Sequence, residues 1–363
     1  MNVVLPEMNN NTQYLQNEKY FYTNSTNTTM VSYLYPSFQY YQLLFFIIGV
    51  LLTNAAGAIA NVILLLAMAV YGPLRKSMSS VLLIQCIAID LYATTIAVPL
   101  TVIPVYLGPK LQLSSTFCKF TPLFIYLAYS CGMYAEAVVA VHRLIATLIP
   151  QRFHFFKKKS SIICLLVIPW LIAVTHAMFP TLGLGSKFVP GSRGCIPIQT
   201  GNSALVLASL VVGYYLPTVI IGVCYIIVLG KTGFDLRARN GSHSLRRRFE
   251  ISRTLFLSFL WHCLTIYPPI IAKSTFKTQF TTDLGFQLAI MWLGNSFCAI
   301  NPVFFWATSQ LFQKGIQAVL RCQWHRARTS AVAPVAPIQR AVATPNNAID
   351  MEMFNGRQNA YRL

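Results

Sequence analysis

Four ionisable residues interrupt stretches that are otherwise apolar: Asp90, Glu136, His176 and His262. A titratable group at membrane depth is costly and by default marks an ion path, a proton relay or a conformational switch. A buried structural hydrogen bond is the plainer reading, and it suits the histidines better than Asp90. His176 and His262 lack metal-ligand spacing. Asp90 is the sole aspartate at membrane depth, so the paired aspartates of an intramembrane hydrolase are missing, and the chain is expected not to be an enzyme. A channel or carrier would need repeated halves or a second charged ring, and the sequence has neither.

The elements that hold these residues are apolar runs. Of 363 residues, 55% are hydrophobic and 10% charged, against about 25% charged in soluble domains. Seven runs, at 42–70, 79–106, 115–148, 160–183, 202–229, 247–275 and 283–308, each reach the roughly 20 residues that a helix needs to cross a bilayer. The expected fold is an all-α membrane protein, a seven-transmembrane helix bundle with a short amphipathic helix at 309–322. A polar tail at 1–41 precedes the bundle, and a proline-bearing tail at 323–363 reads as disordered. Pro99, Pro104, Pro169, Pro180, Pro217, Pro268, Pro269 and Pro302 fall inside or at the ends of the runs, where each removes a backbone bond and permits a kink.

Most of the 28 lysines and arginines fall on one side of these runs, among them Arg143, Lys157, Lys158, Lys159, Arg246, Arg247 and Arg248. That side is expected to be cytoplasmic, which puts the N-terminus outside, the C-terminus inside and the chain in the plasma membrane. The net charge of +19 is then a topology signal, and nucleic acid is not an expected partner. Glycosylation acceptors at Asn10, Asn24 and Asn27 lie on the expected outer side. Cys118 and Cys195 are the two cysteines expected outside, in an oxidising compartment, and are paired as a disulfide. Cys322 follows the amphipathic stretch and suits palmitoylation.

Taken in order, these residues resemble the rhodopsin-like G-protein-coupled receptors over 42–322. Gly57 and Asn61 mark the first span and Asp90 the second, and Cys118 precedes Arg143 by the family's interval. Trp170, Pro217, Tyr225, Asn301-Pro302 and Phe312 continue the pattern. The loop at 185–190 is also similar to that of melatonin and moody-like receptors. The resemblance implies coupling to a heterotrimeric G protein, with His142, Arg143, Leu144, Tyr225, Asn301, Pro302 and Phe305 as the switch. Asn61, Asp90, Glu136 and Asn301 would form the polar core, with a sodium ion near Asp90 in the resting state. Gly132 and Phe297 stand where further polar ligands for that ion are expected. Ile125, Tyr126, Tyr129, Ser130, Ser209, Tyr214, Tyr267, Ile270, Ile271, Gln287, Met291 and Asn295 are implied to face the ligand. Ile125 in place of an aspartate disfavours a biogenic amine, and Asn295 in place of a lysine disfavours retinal. A lipid, a small neutral or anionic molecule, or a peptide is expected instead.

Three departures bear on mechanism. His142 replaces the acid beside Arg143, Phe305 lacks the tyrosine hydroxyl, and Glu136 occupies a normally apolar turn that locks span three to span six. Each loss favours raised basal activity, unless a neutral Glu136 finds a partner and preserves the lock. Tyr267, in Ile266-Tyr267-Pro268-Pro269, is the expected aromatic switch of span six. A non-coupling decoy receptor is the rival reading. Arrestin, membrane lipid and, through Tyr361-Arg362-Leu363, a PDZ domain are further expected partners.

Overall fold

The structure, a computed structural model, describes residues 37–75, 79–107, 113–151, 153–156, 158–191, 194–201, 203–238 and 243–321. Asn10, Asn24, Asn27, Cys322 and the C-terminal three residues lie outside them. With no water to bond backbone groups inside lipid, an apolar run satisfies them only within itself or in a closed barrel, and these runs, rich in Leu, Ile and Ala, form helices. Six described helices are long and apolar enough to cross a membrane, and a seventh crossing is a pair of helices bent by 51° at its break.

Span one is Ser37–Val70, span three Ser115–Leu148, span four Lys159–Thr181 and span six His243–Thr275. Span two joins Ser79–Tyr92 to Val98–Leu107 through a π-helical turn at Ala93–Ala97. Span five joins Ser203–Leu210 to Leu216–Ala238 through another at Val211–Tyr215. Each π turn ends two residues before a proline, Pro99 or Pro217. The missing proline N–H leaves the carbonyl four residues back, Thr95 or Gly213, without its helical donor, and the wider turn absorbs the defect. Span seven is Leu284–Asn295 and Phe297–Thr308, and the terminal helix is Gln310–Leu320.

Spans five and six overrun the expected 202–229 and 247–275, ending at Ala238 and starting at His243. Hydropathy measures the apolar thickness, whereas the helices continue past it on polar residues such as Lys231 and Asp235, paired at 3.1 Å one turn apart. A two-stranded antiparallel hairpin, β1 (Ser186–Gly191) and β2 (Gly194–Gln199), departs from the all-α expectation. It contains the 185–190 loop, and Gly185 enters it at φ +77°, in the left-handed region that favours glycine.

Span three is central, packed against spans two, four and five, while span one lies on span seven, span two and the terminal helix. Gly57 permits the closest of these contacts, since a Cβ there would overlap the backbone of Ala299. The terminal helix buries Phe312, Gly315, Ala318 and Val319 along one face, with Phe312 edge-on to Phe305 at 5.0 Å. Gly57→Ala is expected to destabilise the bundle by about 1–3 kcal/mol through overpacking. Thermal unfolding in detergent checks this against Gly230→Ala, where a Cβ meets open space and the midpoint is expected to hold.

Candidate functional site

Inside lipid a carbonyl that loses its donor to proline needs a replacement. Pro302 strips the donor from Cys298, and the Asn61 amide on span one supplies one at 3.2 Å. Just above, at the break in span seven, the Asn54 amide donates to the Asn295 carbonyl at 3.1 Å. Asn54, Gly57 and Asn61, spaced three and four residues apart, thus form one face of span one that braces the bent span seven.

The bend delivers Asn301 to the centre, where its amide donates to Asp90 at 3.0 Å and its oxygen accepts from the Ser258 hydroxyl at 2.8 Å. Spans two, seven and six are thereby joined through three buried side chains. Beside them a cavity of about 10 Å³, room for about one water, is lined by Asp90, Glu136, Tyr225, Ser258, Asn301 and Phe305 among others. Glu136 reaches from span three toward span six, its carboxylate 4.0 Å from His262 Nδ1. The His262 ring also packs on Phe297, with centroids 3.8 Å apart.

The set offers few oxygens to the sodium ion that the resemblance implies near Asp90. One Asp90 oxygen and the Asn301 oxygen already accept hydrogen bonds, Gly132 and Phe297 bring no side-chain oxygen, and the space holds one water. No group of three or more metal-ligating side chains occurs among the described residues.

Tyr267 does not face span seven. Its hydroxyl donates to Thr218 on span five at 2.9 Å and its ring lies 6.0 Å from Tyr215. The buried face of span six instead includes Thr254, Ser258, His262, Thr265 and Ile266. Ser258 was missed from sequence, although spacing by four places Thr254, Ser258 and His262 on one helical stripe.

The implied ligand-facing residues divide. His176 gathers three of them: it meets Ser130 at 3.2 Å, Ser209 at 2.7 Å and the Tyr126 ring at 4.6 Å. Gly213 in the π turn makes room for the His176 ring, since a Cβ there would overlap it. Tyr129 contacts Asn295 at 3.5 Å, and Met291 joins the core of spans one and two. Ile125, Tyr214, Ile270 and Gln287 are half-buried, and Ile271 is 48% exposed. Cys118 and Cys195 form the disulfide, with Cα atoms 5.2 Å apart, tying β2 to the start of span three.

At the opposite, basic end, His142 is buried with its ring 4.9 Å from Phe153, and Leu144 packs on the core. Arg143 takes part in none of the described ion pairs and lies within electrostatic reach of Tyr225, Arg247 and Arg248. Span six is held by other bonds. Arg247 donates to the Pro73 carbonyl at 2.5 Å and Arg253 to the Thr308 carbonyl at 3.0 Å, while the Thr254 and Thr308 hydroxyls meet at 2.6 Å.

The sequence matches the family model for "7 transmembrane receptor (rhodopsin family)" over residues 60–305, and the chain belongs to that family. Among its relatives, G-protein coupled receptor 183 of Rattus norvegicus is 23% identical over 317 residues, 81% of this chain and 87% of that one. Neuropeptide receptor 15 of Caenorhabditis elegans is 23% identical over 310 residues, 75% and 88% of the two chains. G-protein coupled receptor 183 of Salmo salar is 27% identical over 150 residues, a match spanning 41% of its length and 40% of this chain. The chain is thus a multi-pass membrane protein of a receptor family.

Removing a hydrogen bond to a charged donor costs about 1.5–3 kcal/mol, roughly tenfold or more in a two-state equilibrium. Arg247→Ala is therefore expected to raise the fraction of molecules with span six displaced outward. Spin-label distances between the basic ends of spans four and six would show it in nanodiscs. An unchanged distance distribution would mean that the Pro73 bond restrains nothing, and Arg246→Ala, whose partner Glu250 is on the same helix, serves as the control.

Proposed function

We propose that the chain is a plasma-membrane receptor whose outside-facing ligand shifts a two-state bundle and so opens the basic, cytoplasmic end to a heterotrimeric G protein. The observation that carries this reading is the buried polar chain from Asp90 through Asn301 to Ser258, because it couples the bend of span seven to span six. A ligand changes the populations only through its difference in affinity for the two states. Arg143 and Tyr225 then form the switch that the partner meets.

Peptide or lipid ligands suit the reading best. One relative is named a neuropeptide receptor, and the His176 cluster of Tyr126, Ser130 and Ser209 offers aromatic and hydroxyl groups without a formal charge. The tail acceptors Asn10, Asn24 and Asn27 would carry glycans outside. Cys322 would be acylated inside, where arrestin and a PDZ domain are candidate partners.

Raised basal exchange belongs to the same proposal, with its grounds reduced. His142 and Phe305 remain departures, but Glu136 has His262 beside it and can still bridge spans three and six. The test is ligand-free nucleotide exchange on a panel of G proteins at matched surface expression. Arg143→Ala is expected to abolish exchange, and Glu136→Leu to leave it unchanged or raised. Silence of the unmodified chain under every candidate ligand would favour the decoy reading.

A further inference from the structure

Between the start of span six and the turn after span seven lies a second cavity, of about 660 Å³. Leu236 from span five, Arg246, Phe249, Glu250 and Arg253 from span six, Thr308 at the end of span seven, and Gln310 and Gln313 from the terminal helix are among the side chains that line it. Its size falls within the roughly 300–1,000 Å³ of ligand sites. Arg246 and Arg253 stand two turns apart, so both guanidinium groups border one space, and both are exposed.

The charge in the cleft is unbalanced. Among the described residues Glu250 is the one carboxylate in the lining, and it sits 3.9 Å from Arg246. Arg253 meets only a neutral acceptor there, the Thr308 carbonyl at 3.0 Å. The terminal helix begins at Gln310, so the partial positive charge of its first turn adds to the same side.

Two features set the depth of the cleft. Trp306, one turn before the terminal helix, is 55% exposed, as suits the aromatic belt at a membrane interface. The terminal helix buries one face against the bundle and leaves Gln310, Lys314 and Gln317 exposed, so it runs along the surface rather than across the bilayer. The cleft opens where lipid headgroups lie.

We propose that this cleft binds the polyphosphate headgroup of an inner-leaflet phosphoinositide. Each phosphomonoester carries about −1.5 to −2 charge at pH 7 and three acceptor oxygens, which match the forked donors of two arginines. Basic pockets between membrane helices on the cytoplasmic side are suited to such headgroups. The Gln310 and Gln313 amides add neutral donors. The bound phosphate would also compete with the Thr308 carbonyl for Arg253, linking lipid occupancy to one of the bonds that hold span six. This inference rests on the orientation given under Proposed function.

The test is a titration of fluorescent short-chain phosphatidylinositol 4,5-bisphosphate against the full chain in phosphatidylcholine nanodiscs, where both faces are accessible. Saturable binding is expected, weakened about tenfold or more by the double variant Arg246→Gln/Arg253→Gln. The control Arg237→Gln/Lys314→Gln, which removes two exposed charges outside the cleft lining, is expected to bind as the unmodified chain does. Equal weakening in both double variants, or displacement by phosphatidylserine at matched total charge, would overturn the site in favour of general surface attraction. Soluble inositol 1,4,5-trisphosphate is expected to compete more weakly than the lipid; equal competition would overturn the lipid as source and assign the site to a free polyphosphate. An epitope placed after Leu320 reports orientation separately, since labelling it on intact cells would refute the orientation whatever the binding result.

Discussion

A backbone carbonyl in lipid has no water to fall back on, and this constraint orders the rest of the bundle. Prolines at 99, 217 and 302 each remove a donor from a helix that must stay bonded throughout. Spans two and five answer by widening into π turns, which keeps the repair within the helix. Span seven answers from outside itself, by borrowing the amides of Asn54 and Asn61 from span one. The close approach that makes the loan possible requires Gly57. A packing residue, a proline and two asparagines are therefore one device.

The same device fixes the polar centre. Asn301 sits one residue before Pro302, so bracing the bend also positions the amide that reaches Asp90. Ser258 then ties that amide to span six. These are buried hydrogen bonds between neutral or singly charged partners, and leaving either end unmade would cost about 1–3 kcal/mol. Their worth lies in register as much as in stability, because they specify which turn of span six faces the bend of span seven.

Much of this was legible in the sequence because lipid imposes a simple rule on composition. Seven apolar runs, the asymmetry of basic residues and Asp90 alone in its run each follow from the cost of charge in hydrocarbon. The partner of the Cys298 carbonyl was not legible, since Asn61 is 237 residues away and only the fold brings it near. Phase was lost at span six for a different reason. With Pro268 and Pro269 adjacent, the choice of reference proline shifts the helix by one residue, about 100°, and that rotation exchanges Tyr267 for the Ile266 and His262 face. The hairpin was hidden too, because Pro190 and Pro197 argue against strands, yet both fit in a two-stranded ribbon with free edges.

The distribution of burial separates two central spans from the lipid-facing ones. In the apolar stretch of span three 56% of residues are buried and in span two 61%, against 39% in span six, 33% in span one, 28% in span four and 17% in span five. Lipid is as apolar as the side chains it replaces, so displacing a lipid-facing helix forfeits packing contacts but little hydrophobic free energy. Restraint on span six must then come from specific contacts: Ser258, the Glu136–His262 approach and the Tyr267–Thr218 bond within the bundle, and Arg247, Arg253 and Thr254 at the basic end. At the basic end the acceptors are two backbone carbonyls and a threonine hydroxyl, and none is the acidic partner that Arg143 lacks. A charged pair would hold the end through long-range attraction, whereas bonds to neutral acceptors act only at contact. Once the basic end of span six has moved by more than a hydrogen-bond length, none of these neutral acceptors draws it back, so the restraint at that end breaks abruptly rather than stretching.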